Sequence, residues 1–458
     1  MYRSTNPATG LIEAEFPTLT PEQIAQAAEQ SSTAYKSWQE VPVNRRAEII
    51  LNVANIVEGR AEELSEIITR EMGKPISQSR GEISIVASIC RYYGDNAQEL
   101  LADEKLNPAS GDHAIVRTSP IGPILGIMPW NFPFYQVARF AIPNLLLGNT
   151  ILLKHASNCP QAAIAFDEIL HEAGVPADAY INLLASSHDI DDLIASPHVQ
   201  GVSLTGSEKA GAAVAAQAGK HLKKVVLELG GSDPLIVLDS EKLSSTVKLA
   251  LRGRFANAGQ ACVSSKRMIV LDHVFDEFSA AFSTAASSIT PGDPMDASTF
   301  LGPLYSAEAR EEIMEIVNDA LDRGAELLVG GESVGDSDAF MSPVVLTGVT
   351  PEMRAFREEI FGPVAVLHRA RDTEHAIELA NDSDFGLGAA IFGSNAAEAN
   401  AVADRLEAGM VVINGIAGTQ ADLPFGGIKR SGIGRELGQY GIDEFSNKKL
   451  IRVPAPAV

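Results

Sequence analysis

Cys262 and Glu228 are the residues of this chain whose types best suit covalent catalysis. Cys262 ends the segment FANAGQAC (255–262), and Glu228 begins the segment ELGG (228–231). A cysteine thiol is a strong nucleophile once it is deprotonated, so a carboxylate base beside it permits two-step covalent chemistry. The glycines of both segments predict backbone that approaches a ligand closely or adopts a positive φ. The alternative is a small buried cysteine and a surface glutamate, since free cysteine is often buried.

The composition is that of a globular chain with a large core. Its 458 residues are 45% hydrophobic and 21% charged, which predicts two or three domains. The 59 acidic and 36 basic residues give a formal net charge of -23, which opposes binding to nucleic acid or to an anionic membrane surface. We find no apolar core of a signal peptide and no apolar run that could span a bilayer. With three cysteines, Cys90, Cys159 and Cys262, we expect a cytoplasmic protein without disulfides.

Helices and strands alternate along most of the chain, which predicts an α/β fold. Thr20 with Gln23 suits a capping box at the start of a helical first third, and Gly73 suits a helix end. A further helix is expected through 85–101. Short apolar runs then predict a doubly wound parallel sheet with strands near 124–128, 150–154, 201–204, 225–229 and 235–238. A second α/β set is expected after Phe255, with strands near 268–271, 326–329 and 363–367 and a helix over 307–323. Two sheets imply two lobes with a cleft between them.

Two strand ends could hold a nucleotide. Gly206 and Ser207 follow a predicted strand and precede an alanine-rich helix, where free N–H groups and the helix dipole suit a pyrophosphate. Lys154 stands at the end of another strand of the same sheet, where it suits a ribose or a phosphate. The alternatives are a plain strand-to-helix turn capped by Ser207 and a solvated lysine at the sheet edge.

Five segments resemble, in order, the motifs of the aldehyde dehydrogenase superfamily. They are PWNFP (129–133), ELGG (228–231), FANAGQAC (255–262), EEIFGP (358–363) and PFGGIKRSGIGRE (424–436). Within that superfamily, the segments most similar to bacterial succinate-semialdehyde dehydrogenases are 130–139, 154–157 and 229–234.

The resemblance spans nearly the whole chain and implies an aldehyde dehydrogenase-like α/β fold with three parts. A Rossmann-type cofactor domain would comprise residues 1–107 and 122–230, and an α/β catalytic domain residues 231–430. A small β oligomerisation arm would comprise residues 108–121 and 431–458.

The resemblance also implies NAD(P)-dependent oxidation of an aldehyde. Cys262 would attack the carbonyl, and the Asn131 side-chain amide and the Cys262 backbone N–H would hold the oxyanion. Glu228 would act as general base, toward the thiol and then toward the water that hydrolyses the thioester. Glu359 would bind the nicotinamide ribose with Phe361 beside it. Further cofactor contacts would come from Trp130, Gly206 and Ser207.

Ser157 bears on the choice between NADP and NAD. NAD-selective relatives often carry a glutamate three residues after the strand-terminal lysine, and that position here is Ser157. A neutral hydroxyl beside the Lys154 ammonium can donate to a 2′-phosphate. We therefore expect NADP to be accepted and preferred over NAD.

The substrate that the resemblance implies is succinic semialdehyde, which would be oxidised to succinate. Its distal carboxylate needs a cationic partner, and Arg139 is the candidate, with an interdomain ion pair as the alternative role. Thr419 could supply a hydroxyl donor, and Phe132 and Phe425 could supply aromatic walls.

Two departures weigh against a strict preference for a carboxylate. Some succinate-semialdehyde dehydrogenases have an arginine where this chain has Ala256, and Asp422 adds a negative charge near the tunnel mouth. They leave open a broad-range enzyme acting on other semialdehydes or on neutral or aromatic aldehydes. Glu228 argues against a CoA-acylating relative, and the presence of Cys262, Glu228 and Asn131 argues against a binding protein that has lost catalysis. No metal site is expected, since the histidines are scattered.

Residues 111–118 and 449–453 are predicted as strands outside both sheets, and they resemble the family's oligomerisation arm. Because exposed strand edges favour pairing with another chain, we expect a homodimer or homotetramer. The neighbours of Cys262 are Ala261, Val263 and Ser264, so an adjacent protective disulfide is excluded. We expect peroxide to oxidise Cys262 directly.

Overall fold

The computed structural model describes residues 1–331 and 338–454. The first hundred residues form a hairpin and a layer of helices: β1 (Tyr2–Asn6), β2 (Leu11–Phe16), α1 (Pro21–Trp38), α2 (Val43–Gly59), α3 (Ala61–Met72), α4 (Ile76–Asp95) and α5 (Ala97–Leu100). The predicted capping box is confirmed, because the Thr20 hydroxyl accepts the Gln23 N–H and the Gln23 side chain accepts the Thr20 N–H. Gly73 ends α3 with a φ of 78°. The predicted helix over 85–101 is two helices, which meet at Asn96.

Strands and helices alternate through the rest of the chain. Up to residue 228 they are β3 (Glu104–Leu106), β4 (His113–Pro120), β5 (Pro123–Met128), α6 (Tyr135–Leu147), β6 (Thr150–His155), α7 (Pro160–Ala173), β7 (Tyr180–Asn182), α8 (Ile190–Ala195), β8 (Gly201–Thr205), α9 (Glu208–Lys220) and β9 (Lys224–Glu228). Beyond it they are β10 (Asp233–Val237), α10 (Leu243–Phe255), β11 (Ser265–Leu271), α11 (Asp272–Ser287), α12 (Ala307–Asp322), β12 (Glu326–Val329), β13 (Val344–Thr347), α13 (Arg354–Arg357), β14 (Val364–Ala370), α14 (Thr373–Asn381), β15 (Phe385–Gly386), β16 (Gly388–Phe392), α15 (Ala396–Ala403), β17 (Met410–Ile413), β18 (Ile428–Lys429), β19 (Gly432–Ile433), α16 (Gly438–Asp443) and β20 (Ser446–Val453).

A six-stranded sheet has the order β19-β9-β8-β5-β6-β7. The strands β5 to β9 run parallel, and β19 is antiparallel to β9. Four strands predicted from the apolar runs are confirmed here as β5, β6, β8 and β9. Because their carboxyl ends meet at one edge, that edge carries Asn131, Lys154, Gly206 and Glu228 together.

A seven-stranded sheet has the order β12-β13-β14-β11-β10-β16-β17, parallel except for β12. The strand predicted near 235–238 lies in this sheet as β10, so its assignment to the first sheet was wrong. Its apolar run could not reveal this, because β10 is buried between two strands that come later in the chain, β11 and β16. Cys262 lies shortly before β11, at the amino edge of this sheet.

A separate three-stranded antiparallel sheet has the order β20-β4-β3. The pairing of β4 with β20 runs from Ser446 opposite Pro120 to Val453 opposite His113. The predicted arm begins at residue 431, but its first elements belong elsewhere: β19 pairs with β9, and α16 packs on α6. The arm strand β20 itself begins at Ser446. Residues 455–458 of the predicted arm and 332–337 of the predicted catalytic domain lie outside the described residues.

Helix α6 crosses the core and is buried along its whole length. At its start, the Glu82 carboxylate accepts the N–H groups of Phe134 and Tyr135 at 2.9 and 3.1 Å. Polar side chains on such a helix must find partners inside the protein. Among the described residues, no helix is both long and apolar enough to cross a membrane.

Candidate active site

Cys262 lies where two cavities meet. The smaller cavity, of about 250 Å³, borders the carboxyl edge of the six-stranded sheet and is lined by Cys262 together with Trp130, Asn131, Gly206, Ser207, Glu228, Glu359 and Phe361, among others. The larger cavity, of about 720 Å³, is lined by Cys262 together with Phe132, Tyr135, Thr419 and Phe425, among others. Most of the predicted site residues therefore surround one thiol, on two sides.

Glu228 ends β9 and is 2% exposed. Neither oxygen of its carboxyl group has a hydrogen-bond partner among the described residues. Burial raises the pKa of this carboxyl well above its usual value, and the nearby positive charge of Arg139 opposes the rise. A buried carboxyl group without a hydrogen bond among the described residues, lining the same cavity as the thiol, suits a proton acceptor.

Asn131 is held in place and keeps a free donor. Its side-chain nitrogen donates to the backbone oxygen of Gln260 at 3.0 Å, and its side-chain oxygen accepts from Gln136 at 2.9 Å. The amide nitrogen carries two hydrogens, so the second remains for a ligand in the smaller cavity, which Asn131 lines. A fixed side-chain amide with an unused hydrogen suits an oxyanion donor.

The loop before Cys262 adopts an unusual backbone conformation. Asn257, Ala258 and Gly259 all have positive φ, of 53°, 53° and 71°. For the two residues that are not glycine, this conformation costs on the order of 1–3 kcal/mol each. A Cβ on Gly259 would clash with the carbonyl of Gly362. The sequence-based prediction of constrained backbone at Gly259 is confirmed.

Arg254 holds this strained loop. Its buried guanidinium donates to the Ser264 hydroxyl at 2.6 Å and to the Gly259 and Ile360 carbonyls at 3.4 and 3.0 Å. One side chain thus links the loop that carries Cys262 to the segment that carries Glu359 and Phe361.

Gly230 and Gly231 make close approaches to protein atoms. A Cβ on Gly230 would clash with the carboxylate of Glu359, and a Cβ on Gly231 would lie 2.7 Å from the Cys262 carbonyl oxygen. The glycines therefore let the segment after Glu228 pack directly on the nucleophile loop.

All three cysteines are free thiols. Burial raises the pKa of the Cys262 thiol to about 11, and the charges of Arg139 and Lys266 oppose the rise. Cys90 and Cys159 are fully buried, and burial raises the pKa of both thiols. Since the Cys262 thiol is protonated at neutral pH, a base must deprotonate it during reaction.

Glu359 and two aromatic rings form one wall of the smaller cavity. The Glu359 carboxylate accepts the Gly231 N–H at 3.1 Å and pairs with Lys266 at 3.0 Å. Trp130 meets Phe361 edge to face, with ring centres 5.8 Å apart, and stacks on Tyr305 at 4.0 Å.

The strand ends carry the other predicted nucleotide contacts. Ser207 caps α9, where its hydroxyl oxygen accepts the Ala210 N–H at 3.3 Å, and Gly206 donates its N–H to the Glu228 carbonyl at 3.0 Å. Lys154 is half-buried near the end of β6, and burial lowers the pKa of its ammonium. Ser157 is exposed in the following loop. The capping role suggested for Ser207 is observed, and it leaves the hydroxyl hydrogen available to a ligand.

Arg139, the expected clamp for the substrate carboxylate, is bound to groups of the protein and is absent from the lining of the larger cavity. It is 1% exposed, forms an ion pair with Glu436, and donates to the Thr205 hydroxyl at 3.0 Å and the Tyr135 hydroxyl at 3.2 Å. Its guanidinium lies 4.5 Å from the ring centre of Phe425, behind the cavity wall. The physical reason is that a charge on a fully buried helix is stable only with a partner, and Glu436 supplies it. The ion-pair alternative describes the observed contact.

The larger cavity offers hydroxyl groups and aromatic faces. The Tyr135 and Thr419 hydroxyls are 2.7 Å apart, and Phe132 and Phe425 contribute rings. Its cationic lining residues are Lys74, which is buried and paired with Glu82, and the exposed Arg252. The predicted placement of Thr419 and of both phenylalanines beside Cys262 is therefore observed.

Residues of the site that were not predicted include Tyr135, Gln136, Lys266 and Glu436. The first two lie within the segment 130–139 and Glu436 closes the segment 424–436, both of which carry the resemblance. The available signal for Lys266 was its charge at the start of an apolar run, in the strand β11, which is buried throughout and also carries Arg267.

Comparison with known proteins agrees with this architecture. Residues 1–451 match the profile of the aldehyde dehydrogenase family. The chain is 50% identical over 451 residues to a succinate-semialdehyde dehydrogenase (NADP+) of Deinococcus radiodurans, covering 98% of this chain and 94% of that protein. It is 43% identical over 448 residues to a succinate semialdehyde dehydrogenase (NAD(P)+) of Escherichia coli, covering 98% of this chain and 97% of that protein.

Solved structures give the same result. Succinic semialdehyde dehydrogenase from Streptococcus pyogenes, in complex with NADP+, superposes with a TM-score of 0.97 at 41% identity, covering 99% of this chain and 100% of that chain. The chain belongs to the aldehyde dehydrogenase family, a family of oxidoreductases.

Proposed function

We propose that this enzyme oxidises succinic semialdehyde to succinate with NADP as the preferred cofactor and NAD as a second one. The observation that carries the proposal is the position of Cys262 between two cavities. On one side lies the Glu228 carboxyl, which has no hydrogen-bond partner in the part of the chain that the structure describes, and on the other lies the Tyr135–Thr419 hydroxyl pair. The names of the relatives from Deinococcus radiodurans and Escherichia coli support the substrate and the cofactor.

The chemistry proposed for the residues follows from their contacts. The Cys262 sulfur adds to the aldehyde carbon while Glu228 takes the thiol proton. The free hydrogen of the Asn131 amide and the Cys262 N–H hold the resulting oxyanion, and each such donor is worth about 2.7–4 kcal/mol in the barrier. When bound, the nicotinamide supplies the hydride acceptor. Glu228 releases the thiol proton to solvent, and its carboxylate then activates the water that hydrolyses the Cys262 thioester.

The residues around the smaller cavity fit a dinucleotide. The helix start at Ser207 suits the pyrophosphate, and Gly206 leaves room for its approach because it has no side chain. Glu359 suits the nicotinamide ribose, with Trp130 and Phe361 as the aromatic wall. The Lys154 ammonium and the Ser157 hydroxyl suit a 2′-phosphate, because both can donate to it.

For the substrate carboxylate we propose an indirect role of Arg139. Its guanidinium donates to the Tyr135 hydroxyl oxygen, so the Tyr135 hydrogen is directed to Thr419 and the Thr419 hydrogen is left for a ligand. The larger cavity then presents a hydroxyl donor that is supported by a buried cation.

A broad-range aldehyde dehydrogenase is the second candidate. The specific observation in its favour is the pairing of Arg139 with Glu436, which leaves the larger cavity without a direct contact from that arginine. Such an enzyme would oxidise other semialdehydes or neutral and aromatic aldehydes at similar rates.

One steady-state experiment separates the two candidates. It measures kcat/KM for succinic semialdehyde, a neutral aldehyde of equal length and an aromatic aldehyde, each with NADP and with NAD. We expect the highest value for succinic semialdehyde with NADP. Equal values for the three aldehydes would favour the broad-range enzyme, and a higher value with NAD would contradict the cofactor assignment.

We also propose that the enzyme is a homodimer or homotetramer of the cytoplasm. The edge strand β20 exposes Leu450 and Val453, at 61% and 58%, which supports pairing of the arm with another subunit. Three free thiols suit a reducing compartment. Light scattering after gel filtration tests the assembly, and a monomeric mass would contradict it.

A further inference from the structure

Lys266 occupies a central position that the proposed chemistry has not yet used. It is the second residue of β11, and its side chain is 4% exposed. Its ammonium donates to the backbone oxygens of Ala261 and Cys262 at 3.0 and 2.9 Å and pairs with Glu359 at 3.0 Å. An ammonium has three hydrogens, so these three partners account for all of them.

The contact with Ala261 bears on the oxyanion site. The carbonyl of Ala261 and the N–H of Cys262 belong to one planar peptide group. A positive charge at the oxygen of that group draws electron density from its nitrogen, which makes the N–H a stronger donor. The same contact fixes the plane of the peptide and hence the direction of the N–H.

The contact with Glu359 bears on the cofactor site. One carboxylate oxygen is held by Lys266 and by the Gly231 N–H, and the other lies against Gly230, where a Cβ would clash with it. The carboxylate is therefore fixed on one side by protein groups. Its orientation toward the smaller cavity depends on the lysine.

We propose that Lys266 is a positioning residue that serves both halves of the reaction. Its ammonium strengthens and orients the Cys262 N–H for the oxyanion, and it holds Glu359 for the nicotinamide ribose. The inference rests on the proposed function, because it uses the roles assigned there to the Cys262 N–H and to Glu359. The other charges that act on Cys262 come from Arg139 on α6 and from Asp233 on β10.

The test compares Lys266→Met and Lys266→Arg with a control, Lys248→Met, which removes an exposed lysine on α10. The first measurement is acylation by p-nitrophenyl acetate without any cofactor. The Cys262 thiol adds to the ester carbonyl and loses its proton to a base, the ester C–O bond breaks, and nitrophenolate leaves. This reaction uses the oxyanion site and needs no nicotinamide.

The second measurement is equilibrium binding of NADP, followed by protein fluorescence. We expect Lys266→Met to slow acylation about 10-fold to 100-fold and to weaken NADP binding about 10-fold. Lys266→Arg should restore a large part of both, and Lys248→Met should match the wild type. A role confined to folding would not give a loss of acylation in a variant whose circular dichroism and Tm match the wild type.

Acylation by folded Lys266→Met at the wild-type rate would overturn the proposal, and so would unchanged NADP binding. If Lys266→Met does not fold, Lys266→Gln takes its place, since it keeps a donor and loses the charge, and wild-type values for it would be equally decisive. A wild-type enzyme that oxidises no semialdehyde would refute the proposed function. The ester reaction would still decide the role of Lys266 in the oxyanion site.

Discussion

The two cavities that meet at Cys262 use their buried charges in opposite ways. On the smaller side, Glu228 points an unpaired carboxyl at the cavity, as judged over the described residues. On the larger side, Arg139 is paired with Glu436 behind the wall, and hydroxyl groups reach the cavity in its place. A buried charged group without a partner is a candidate for proton transfer. A buried charged group that is already paired instead stabilises the cavity wall and polarises the hydroxyl groups bound to it.

The largest effect on activity is expected when the Glu228 carboxyl, in the smaller cavity, is replaced. Glu228→Gln keeps the size of the side chain but cannot accept a proton. We expect steady-state kcat to fall about 10²-fold to 10⁴-fold. Because the proposal gives Glu228 both the thiol proton and the hydrolytic water, the first turnover of reduced nicotinamide should slow as well, which stopped flow measures. Glu241→Gln, on an exposed residue, is the control, and an unchanged kcat for Glu228→Gln would refute the assignment.

Removing the ion pair of Arg139 with Glu436, behind the larger cavity, should lower both stability and activity. Arg139→Met leaves the buried Glu436 without its cation, and loss of one partner of a buried pair typically costs about 3–5 kcal/mol of unfolding free energy. Urea unfolding measures this, and adding Glu436→Gln should recover part of the loss.

The same variant distinguishes the two roles of Arg139. If the arginine acts on the carboxylate through Tyr135 and Thr419, kcat/KM should fall more for succinic semialdehyde than for a neutral aldehyde of similar length, and this difference should vanish in a Thr419→Ala background. A difference that persists in Thr419→Ala would restore the direct clamp, and equal losses for both aldehydes would refute both roles.

The preference for NADP over NAD in the smaller cavity can be tested at Ser157. Ser157→Glu places a negative charge three residues after Lys154, where it would repel a 2′-phosphate. We expect the ratio of kcat/KM for NADP over NAD to fall about 10-fold to 100-fold, as is typical of a like-charge contact. Ser157→Ala should change it much less. A constant ratio in Ser157→Glu would mean that this position does not choose the cofactor.

The hydroxyl groups of the larger side should have a smaller effect. Thr419→Ala removes the donor at the end of the Arg139–Tyr135–Thr419 series of hydrogen bonds. We expect the KM for succinic semialdehyde to rise about 3-fold to 10-fold, which is the range for one ordinary hydrogen bond. The KM for a neutral aldehyde is the internal control. A parallel rise in both would argue against a carboxylate contact.

The smallest effect concerns pH and a carboxyl group beneath the nucleophile loop. Burial raises the pKa of Asp233 to about 7 from an ordinary 3.8, while Lys266 opposes the rise. The folded protein then binds more protons here than the unfolded chain, so the stability contributed is present below about pH 4 and is lost as the pH rises toward about 7. The Tm of Asp233→Asn should therefore depend less on pH than that of the wild type between these values. Parallel curves would contradict the raised pKa.

Much of the smaller side could be predicted from local sequence. Glu228, Gly259 and Ser207 stand at strand ends, tight turns or helix starts, and such positions are governed by backbone rules that act over a few residues. Parallel strands then bring these ends to one edge, so the prediction of a shared site needed only the strand pattern.

The larger side could not be predicted in the same way. Arg139 fits a carboxylate clamp by type and spacing, yet its partner Glu436 lies at the far end of the chain and reaches it only when β19 pairs with β9. The assignment of β10 to the first sheet failed for a similar reason, because apolar runs do not say which strands will flank them.

The amino-acid sequence alone thus determined the α/β fold, through its short apolar runs, and the family, through motifs that resemble those of known members, and it supplied candidates for the reactive residues. The tertiary structure decided which buried charges are available and which are already paired. Glu228 is left unpaired among the described residues, Arg139 is neutralised, and Lys266 joins two loops, because the free energy of a buried charge depends on partners that are distant in the chain.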